Sequence, residues 1–187
     1  MRRDMVFRIF ILLTAFYSLV FSVAAVSAEP LRADSRWTAV GLRAGVDDGR
    51  NDEDLTQLEA FALYRLPWNW NIGSGWHLAP VVEINAGALH GGGDTAFVGS
   101  AGPGMFLQSP SKCLALLGGL NPSFISEDNI GDEELGGPLQ FTLHIGLSYT
   151  IQQRWIIGYR FQHMSNAGIY SANPGINMHM LVIGFRF

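Results

Sequence analysis

Apolar and polar side chains alternate with a period of two along much of the chain, most clearly toward its C-terminus. From Phe141 to Tyr149 every odd position is apolar, whereas the even positions carry polar or small side chains. The segments 155–162 and 180–187 repeat the pattern. Because successive residues of a strand point to opposite faces, each segment predicts a strand with one apolar face. The other face carries too little charge to meet water in a soluble sandwich, and it fits a narrow, filled barrel lumen.

The same pattern predicts eight strands of about ten residues, the length at which a tilted strand crosses a bilayer. Two of them alternate poorly and contain Pro103 and Pro122, residues that interrupt sheet pairing. The predicted fold class is all-β: an eight-stranded antiparallel transmembrane β-barrel of the bacterial outer membrane. A periplasmic β-sandwich is the alternative, because it shares the turn-rich composition. The strands are predicted at about 38–46, 55–66, 76–89, 96–107, 112–126, 140–150, 154–164 and 177–187.

The first 28 residues read as a secretory signal peptide. Three arginines precede the apolar stretch Ile9–Val26, and small residues end it at Val26-Ser27-Ala28. An uncleaved anchor helix is the alternative for this 18-residue stretch, and the small-residue exit favours cleavage. Residues 29–187 are then predicted to form a single β-barrel domain. They contain no further apolar segment long enough for a membrane-spanning helix.

Composition narrows the class of protein further. Cys113 is the one cysteine, so the sequence excludes an intramolecular disulfide and a cysteine-based zinc cluster. Residues 1–28 hold three arginines and one aspartate, so the net charge of −4 becomes −6 without them. A nucleic-acid partner is disfavoured, since phosphate binding needs a basic face. Only 15% of the residues are charged and 22 are glycine, a mix that favours a membrane barrel over other exported folds.

Turn lengths and charges predict how the barrel is oriented and filled. The connections after the fourth and sixth strands are short, as is usual on the periplasmic side, so the first, third, fifth and seventh lead to extracellular loops. Two of these loops are acidic, without the ligand spacing of a calcium loop, and are interpreted as solvated loops with no metal site. Five charged side chains are predicted to pair inside the lumen, namely Arg43, Arg160 and Arg186 with Glu59 and Glu83.

Candidate chemistry lies at the end of the seventh predicted strand. His163 and Ser165 continue the apolar, outward-facing row of that strand, where a barrel has no structural need for either residue. They point the same way, about 7 Å apart along the strand. An imidazole beside a hydroxyl is the minimum set for an activated serine nucleophile. On these residues alone, an interfacial histidine and serine remain the alternative.

The segment Tyr159-Arg160-Phe161-Gln162-His163-Met164-Ser165-Asn166, with Asn173-Pro174-Gly175-Ile176-Asn177 after it, resembles the outer-membrane lipid A 3-O-deacylase (PagL) family. The resemblance covers about 35 C-terminal residues and implies an eight-stranded outer-membrane barrel with a lipid-facing active site. It implies Ser165 as nucleophile, His163 as general base and the side-chain amide of Asn166 as oxyanion donor. It also implies lipid A or lipopolysaccharide as the partner, and no cofactor.

The chain departs from the family at the residue that orients the histidine. The family has a glutamate on the last strand, and Asn177 stands at that position here. A hairpin centred near Tyr170 predicts that Asn177 lies opposite His163 on the same face. An amide oxygen can orient a histidine but cannot stabilise imidazolium as a carboxylate does, so lower activity is expected. No acidic residue follows Glu134, and the sequence predicts none near the site.

Three functions therefore remain in competition at this point. The first is hydrolysis of the ester-linked 3-hydroxyacyl chain of lipid A through Ser165, His163 and Asn177. The second is a catalytically inactive structural or binding barrel, which the asparagine favours. The third is a lipid A acyltransferase, which requires a phospholipid donor. His179, on the same face as Asn177, is interpreted as an interfacial residue or a second orienting group. The sequence leaves open whether two barrels pair through their aromatic faces.

Overall fold

The computed structural model describes residues 36–51 and 53–187. The predicted signal peptide lies outside the described residues, as do the first residues of the predicted barrel domain. In the described part of the chain, no helix has the length and apolar character needed to cross a membrane.

Long antiparallel strands build the described chain. Their bounds are β1 (Trp37–Asp47), β2 (Thr56–Arg65), β4 (His77–Gly91), β5 (Asp94–Gln108), β6 (Leu114–Ile125), β9 (Leu139–Ile151), β10 (Trp155–Ser165) and β11 (Ile176–Arg186), with two-residue strands β3 (Trp70–Asn71), β7 (Asn129–Ile130) and β8 (Glu133–Glu134). The long strands follow one another in the order β2-β1-β11-β10-β9-β6-β5-β4, and β4 pairs back onto β2. This closure gives an eight-stranded barrel without free sheet edges, and it confirms the predicted fold class.

The two ends of the barrel differ in their connections. We call the end with connections 48–55, 92–93, 126–138 and 166–175 the upper end, and the opposite end the lower end. The turn between β4 and β5 is a two-residue hairpin, in which Gly92 (φ 56°) and Gly93 (φ 93°) supply the positive φ angles of a tight turn. The second of the four predicted extracellular loops is therefore short.

The period of two separates lumen from exterior as the sequence predicts. In β10, Arg160, Gln162 and Met164 are buried, whereas Ile157 and Tyr159 are exposed. The exposed rows of the long strands are apolar, as expected where they meet lipid.

The two weakest predicted strands, β5 and β6, do form. Their ladder pairs Val98–Ser100 with Ser123–Ile125 and resumes only at Gly104 with Gly119. Pro103 and Pro122 lie within the interrupted stretch, where a missing backbone N–H removes no ladder bond. Each proline is aligned instead with the strand on its other side, β4 or β9.

Charged side chains fill the middle of the lumen. Arg43 donates to Glu59 (2.8 Å) and to Glu83 (2.8 Å), and Arg160 donates to Glu83 (2.6 Å). These four side chains are at most 5% exposed, so each charge is compensated by partners rather than by water. The predicted pairing is confirmed for these four residues.

Arg186 does not join this network. It lies near the lower end, where its guanidinium donates to the Lys112 carbonyl (3.3 Å) and contacts Gln108 (3.4 Å). The prediction that Arg186 faces Glu59 and Glu83 is wrong, because the side-chain period gives the face of a strand but not the depth in the lumen.

An apolar cluster fills the lumen at the upper end. It joins side chains from several strands and from the upper loops, and most of its members are almost completely buried. Met164 and Ile176 belong to it, and they flank in sequence the outward-facing residues of β10 and β11. The cluster therefore anchors the strand ends that carry the candidate site. Its members are Leu55, Leu89, Ala96, Val98, Ile125, Ile130, Leu135, Met164, Ile176, Met178 and Met180.

Candidate active site

The candidate residues lie on the outer surface of the barrel, at the upper ends of β10 and β11. His163 is aligned with Asn177 in the β10–β11 ladder, as the hairpin count predicts. Both residues and Ser165 are partly exposed and face outward. Met164 and Ile176 point inward into the apolar cluster, so packing on the lumen side holds the backbone that presents the three outward side chains.

A hydrogen-bonded chain runs from His163 to an acidic residue. The Nδ1 of His163 lies 2.7 Å from the Oδ1 of Asn177. The amide nitrogen of Asn177 donates to Asp48 Oδ2 at 3.0 Å. The expectation that no acid lies near the site is therefore wrong, since Asp48 reaches Asn177 from the connection between β1 and β2.

Asp48 reaches the site because the first and last strands of the barrel are neighbours. β1 pairs with β11, and Asp47 is aligned with Met178 at the upper end of that seam. The Asp48 backbone N–H then donates to the Asn177 carbonyl (3.1 Å), which extends the ladder by one bond. Closure of an antiparallel barrel makes the first and last strands neighbours, but the side-chain pattern does not determine the register between them.

The first upper connection covers the site from one side. Asn51 donates to the Gly175 carbonyl (3.1 Å), and the Arg50 Nε lies 3.1 Å from Asp48 Oδ2. Gly175 (φ 71°) lies against the imidazole: a Cβ at this position would be 2.9 Å from His163 Cε1. An open pocket lies beside the imidazole, lined by Arg50, Asn51, Glu133, His163, Pro174, Gly175 and Asn177.

Ser165 lies two residues beyond His163 on the same face. Within the described residues, no hydrogen bond joins its hydroxyl to the imidazole. Hydrogen bonds between a nucleophile and its base commonly tighten only when substrate binds. The arrangement has the parts of an activated serine: a hydroxyl, an imidazole and an orienting hydrogen-bond acceptor.

The side-chain amide of Asn166 is not in the position of an oxyanion donor, the role that the family resemblance implies. Its side-chain amide is buried and donates both of its hydrogens, to the carbonyls of Leu135 (2.9 Å) and Ala172 (2.6 Å). Its amide oxygen accepts from the Gly168 N–H (2.9 Å). This geometry offers no free N–H of the side chain to an oxyanion, and it makes Asn166 the residue that shapes the loop after β10.

His179 does not contact His163. It lies on the exposed face of β11, where Tyr159 Oη is 2.5 Å from its Nδ1 and its ring packs on Phe161. The interpretation as a second orienting group is not supported by these contacts, and the residue occupies the lipid-facing wall below the site.

Two acidic side chains at the upper end accept hydrogen bonds from the backbone of a neighbouring loop. Asp94 accepts from the Gly131 N–H (3.0 Å) and Glu53 accepts from the Asp132 N–H (3.4 Å). Among residues 36–51 and 53–187, no group of three or more histidine, cysteine or acidic side chains is arranged to hold a metal ion.

Comparison with known proteins gives consistent matches. A family model described as lipid A 3-O-deacylase (PagL) matches residues 56–186. A protein named lipid A deacylase PagL, from Bordetella bronchiseptica, is 27% identical over 177 residues, which span 91% of this chain and 92% of that protein. A crystal structure of the outer membrane enzyme PagL is similar with a TM-score of 0.67 at 20% identity, covering 78% of this chain and 97% of that one. The family match includes His163, Ser165, Asn166 and Asn177, whereas Asp48 precedes it.

Proposed function

The chain belongs to the lipid A 3-O-deacylase (PagL) family, and from this premise we propose that it hydrolyses the ester-linked 3-hydroxyacyl chain of lipid A in the bacterial outer membrane. The observation that carries the proposal is the outward-facing pair of His163 and Ser165, with the imidazole held by Asn177 at 2.7 Å. The chemistry needs no cofactor, since a serine esterase uses only side chains and water.

In the proposed reaction, the Ser165 hydroxyl attacks the carbonyl carbon of the ester. His163 Nε2 takes the hydroxyl proton and then gives it to the sugar oxygen that leaves. The product of this first half-reaction is an acyl-enzyme, in which the acyl group is esterified to Ser165. Water then attacks the acyl group with His163 again as base, which releases the 3-hydroxy fatty acid and regenerates the serine.

The position of the site fits a substrate that stays in the membrane. The lumen is filled by the buried charges and the apolar cluster, so a lipid has no path through the barrel. Below His163 the outer wall of β10 carries the half-buried Phe161 and the exposed Tyr159 and Ile157, a surface suited to acyl chains. With the upper end outside the cell, the ester of an outer-leaflet lipid A meets the site at the membrane surface while its chains remain in the bilayer.

The contact from Asn177 to His163 supports the enzyme over the inactive barrel. An inactive relative has no requirement to keep an acceptor on Nδ1, yet the amide oxygen is in hydrogen-bonding distance of that nitrogen. An asparagine in this role occurs in other hydrolases that use a nucleophile and a histidine.

The function is tested by mass spectrometry of lipid A from cells that make this protein and from cells with the empty vector. We expect the loss of one 3-hydroxyacyl group only in the first sample, together with the free 3-hydroxy fatty acid. A gain of one acyl chain would instead identify the acyltransferase. Unchanged lipid A, both in cells and after incubation with the purified and folded barrel, would favour the inactive barrel.

Gly175→Ala is expected to lower kcat for this reaction between ten- and a hundredfold. The added Cβ would lie 2.9 Å from His163 Cε1, and the imidazole must shift away from its place beside Ser165. Gly168→Ala is the matched control, because Gly168 also has positive φ (79°) but nothing lies within 4 Å of its added Cβ. Both variants carry a backbone penalty of about 1 kcal/mol. Equal rates for the two purified variants would contradict a role for the position of the ring.

A further inference from the structure

We propose that Asp48 is a positioning residue that fixes the tautomer of His163 through the amide of Asn177. The inference rests on the proposed function, since the tautomer matters only if His163 acts as a base toward Ser165. The three side chains form one chain, with 2.7 Å from His163 Nδ1 to Asn177 Oδ1 and 3.0 Å from Asn177 Nδ2 to Asp48 Oδ2.

The direction of this chain follows from which groups donate. An ionised carboxylate has only acceptor oxygens, so the side of the Asn177 amide that faces Asp48 is its NH₂ group. The amide oxygen then faces His163, and it can only accept. His163 must therefore carry its proton on Nδ1, and the lone pair is on Nε2. Nε2 in this form is the base that the reaction requires.

Asparagine alone does not determine this direction. If the Asn177 amide were turned over by 180°, its NH₂ group would face His163 Nδ1. Nδ1 would then carry the lone pair, and Nε2 would carry the proton. A histidine in that form cannot take the proton of Ser165. Asp48 removes this orientation, because two acceptor oxygens would then face each other. Asn177 and Asp48 thus together do what one glutamate does, with the negative charge one side chain further away.

Several contacts hold Asp48 in place for this role. Its backbone N–H is bonded to the Asn177 carbonyl (3.1 Å), and Asn51 ties the same connection to Gly175 (3.1 Å). The Asp48 side chain is only 14% exposed. The Arg50 Nε lies 3.1 Å from the carboxylate oxygen that accepts from Asn177, so the charge has a cationic partner toward solvent.

The first test reads the tautomer directly. Nitrogen NMR of histidine-labelled barrel in detergent micelles, with the His163 signals assigned by loss in His163→Gln, separates the Nδ1–H from the Nε2–H form. We expect the Nδ1–H form in the parent and a shift toward Nε2–H in Asp48→Ala. The matched control is Asp132→Ala, which removes an exposed acid from another upper loop. An unchanged tautomer in folded Asp48→Ala would overturn the inference.

The second test measures kinetics of lipid A deacylation. Asp48→Ala is expected to lower kcat by about tenfold with KM changed less than about threefold, because part of the His163 population then carries its proton on Nε2 and the imidazolium loses the carboxylate behind Asn177. The double variant Asn177→Glu/Asp48→Ala is expected to recover most of that loss, because Glu accepts directly from Nδ1. Asn177→Glu alone is expected to be slower than the double variant, since its carboxylate would face that of Asp48.

The outcomes distinguish failure of the role proposed for Asp48 from failure of the proposed deacylase function. If Asp48 only shapes its loop, the double variant stays as slow as Asp48→Ala and the tautomer of His163 does not change, which overturns the inference. Parent-like kcat in Asp48→Ala also overturns it. If the parent barrel does not deacylate lipid A, the proposed function fails, and the NMR comparison still decides whether Asp48 sets the tautomer.

Discussion

Replacement of Ser165 by alanine is expected to lower kcat for release of 3-hydroxy fatty acid from lipid A by about 10⁴-fold or more. The hydroxyl is the only group of Ser165 that the proposed reaction uses, and no other side chain at the site replaces it as nucleophile. Ser165 faces outward at the end of β10, away from the apolar cluster, so folding and substrate binding should be preserved. The measurement is steady-state kinetics on lipid A in mixed micelles.

Ser171→Ala is the matched control for this experiment. Ser171 lies six residues further on, in the upper connection that follows β10, and it is exposed, so its loss should leave kcat within about twofold. Folding of both variants is checked by the heat-dependent gel mobility typical of β-barrels. Parent-like activity in Ser165→Ala would show that the nucleophile is elsewhere, while the deacylation of lipid A itself would stand.

Glu83→Ala is expected to lower the free energy of unfolding by about 3–5 kcal/mol. Glu83 is completely buried and accepts hydrogen bonds from Arg43 (2.8 Å) and Arg160 (2.6 Å). Its removal leaves two buried guanidinium groups in the lumen with one carboxylate, Glu59, which bonds only Arg43. Uncompensated buried charge is among the few single changes that destabilise a protein this strongly.

The measurement is urea unfolding of the barrel in detergent, followed by tryptophan fluorescence. Glu59→Ala is the control in the same network, because Glu59 bonds only one of the two arginines, Arg43, and its loss should cost less. A loss below about 1 kcal/mol for Glu83→Ala would show that water enters the lumen and solvates both arginines.

Much of the barrel was predictable because one physical rule governs it. Side chains on a strand alternate between lumen and lipid, so the last strand, predicted at 177–187, is observed at Ile176–Arg186. The rule weakens in β5 and β6, where the lumen face needs small residues. A Cβ on Gly119 would lie 2.9 Å from the ring of His144, its ladder partner on the neighbouring strand β9. Where the side chain of a paired strand fills the space, a glycine is needed and the local pattern carries no polar or apolar signal.

The site was predictable to the extent that it is local. His163 and Asn177 share one hairpin, so counting residues from its centre gives their register. Asp48 is 129 residues from Asn177 in sequence, and their contact depends on the conformation of a loop, which no side-chain period describes. The error for Asn166 has another cause: buried carbonyls of Leu135 and Ala172 need donors, and the Asn166 amide supplies them.

The seam between β1 and β11 gives the site a dependence on the order of assembly. His163 and Asn177 share the C-terminal hairpin, whereas Asp48 lies across the β1–β11 seam, which joins the two ends of the barrel sequence. Contacts between the two ends of a chain carry the largest loop-closure entropy and form late. An open intermediate therefore holds Ser165 and His163 without the carboxylate beside Asn177. The complete constellation exists only in the closed barrel, so the proposed site is completed only when the first and last strands pair.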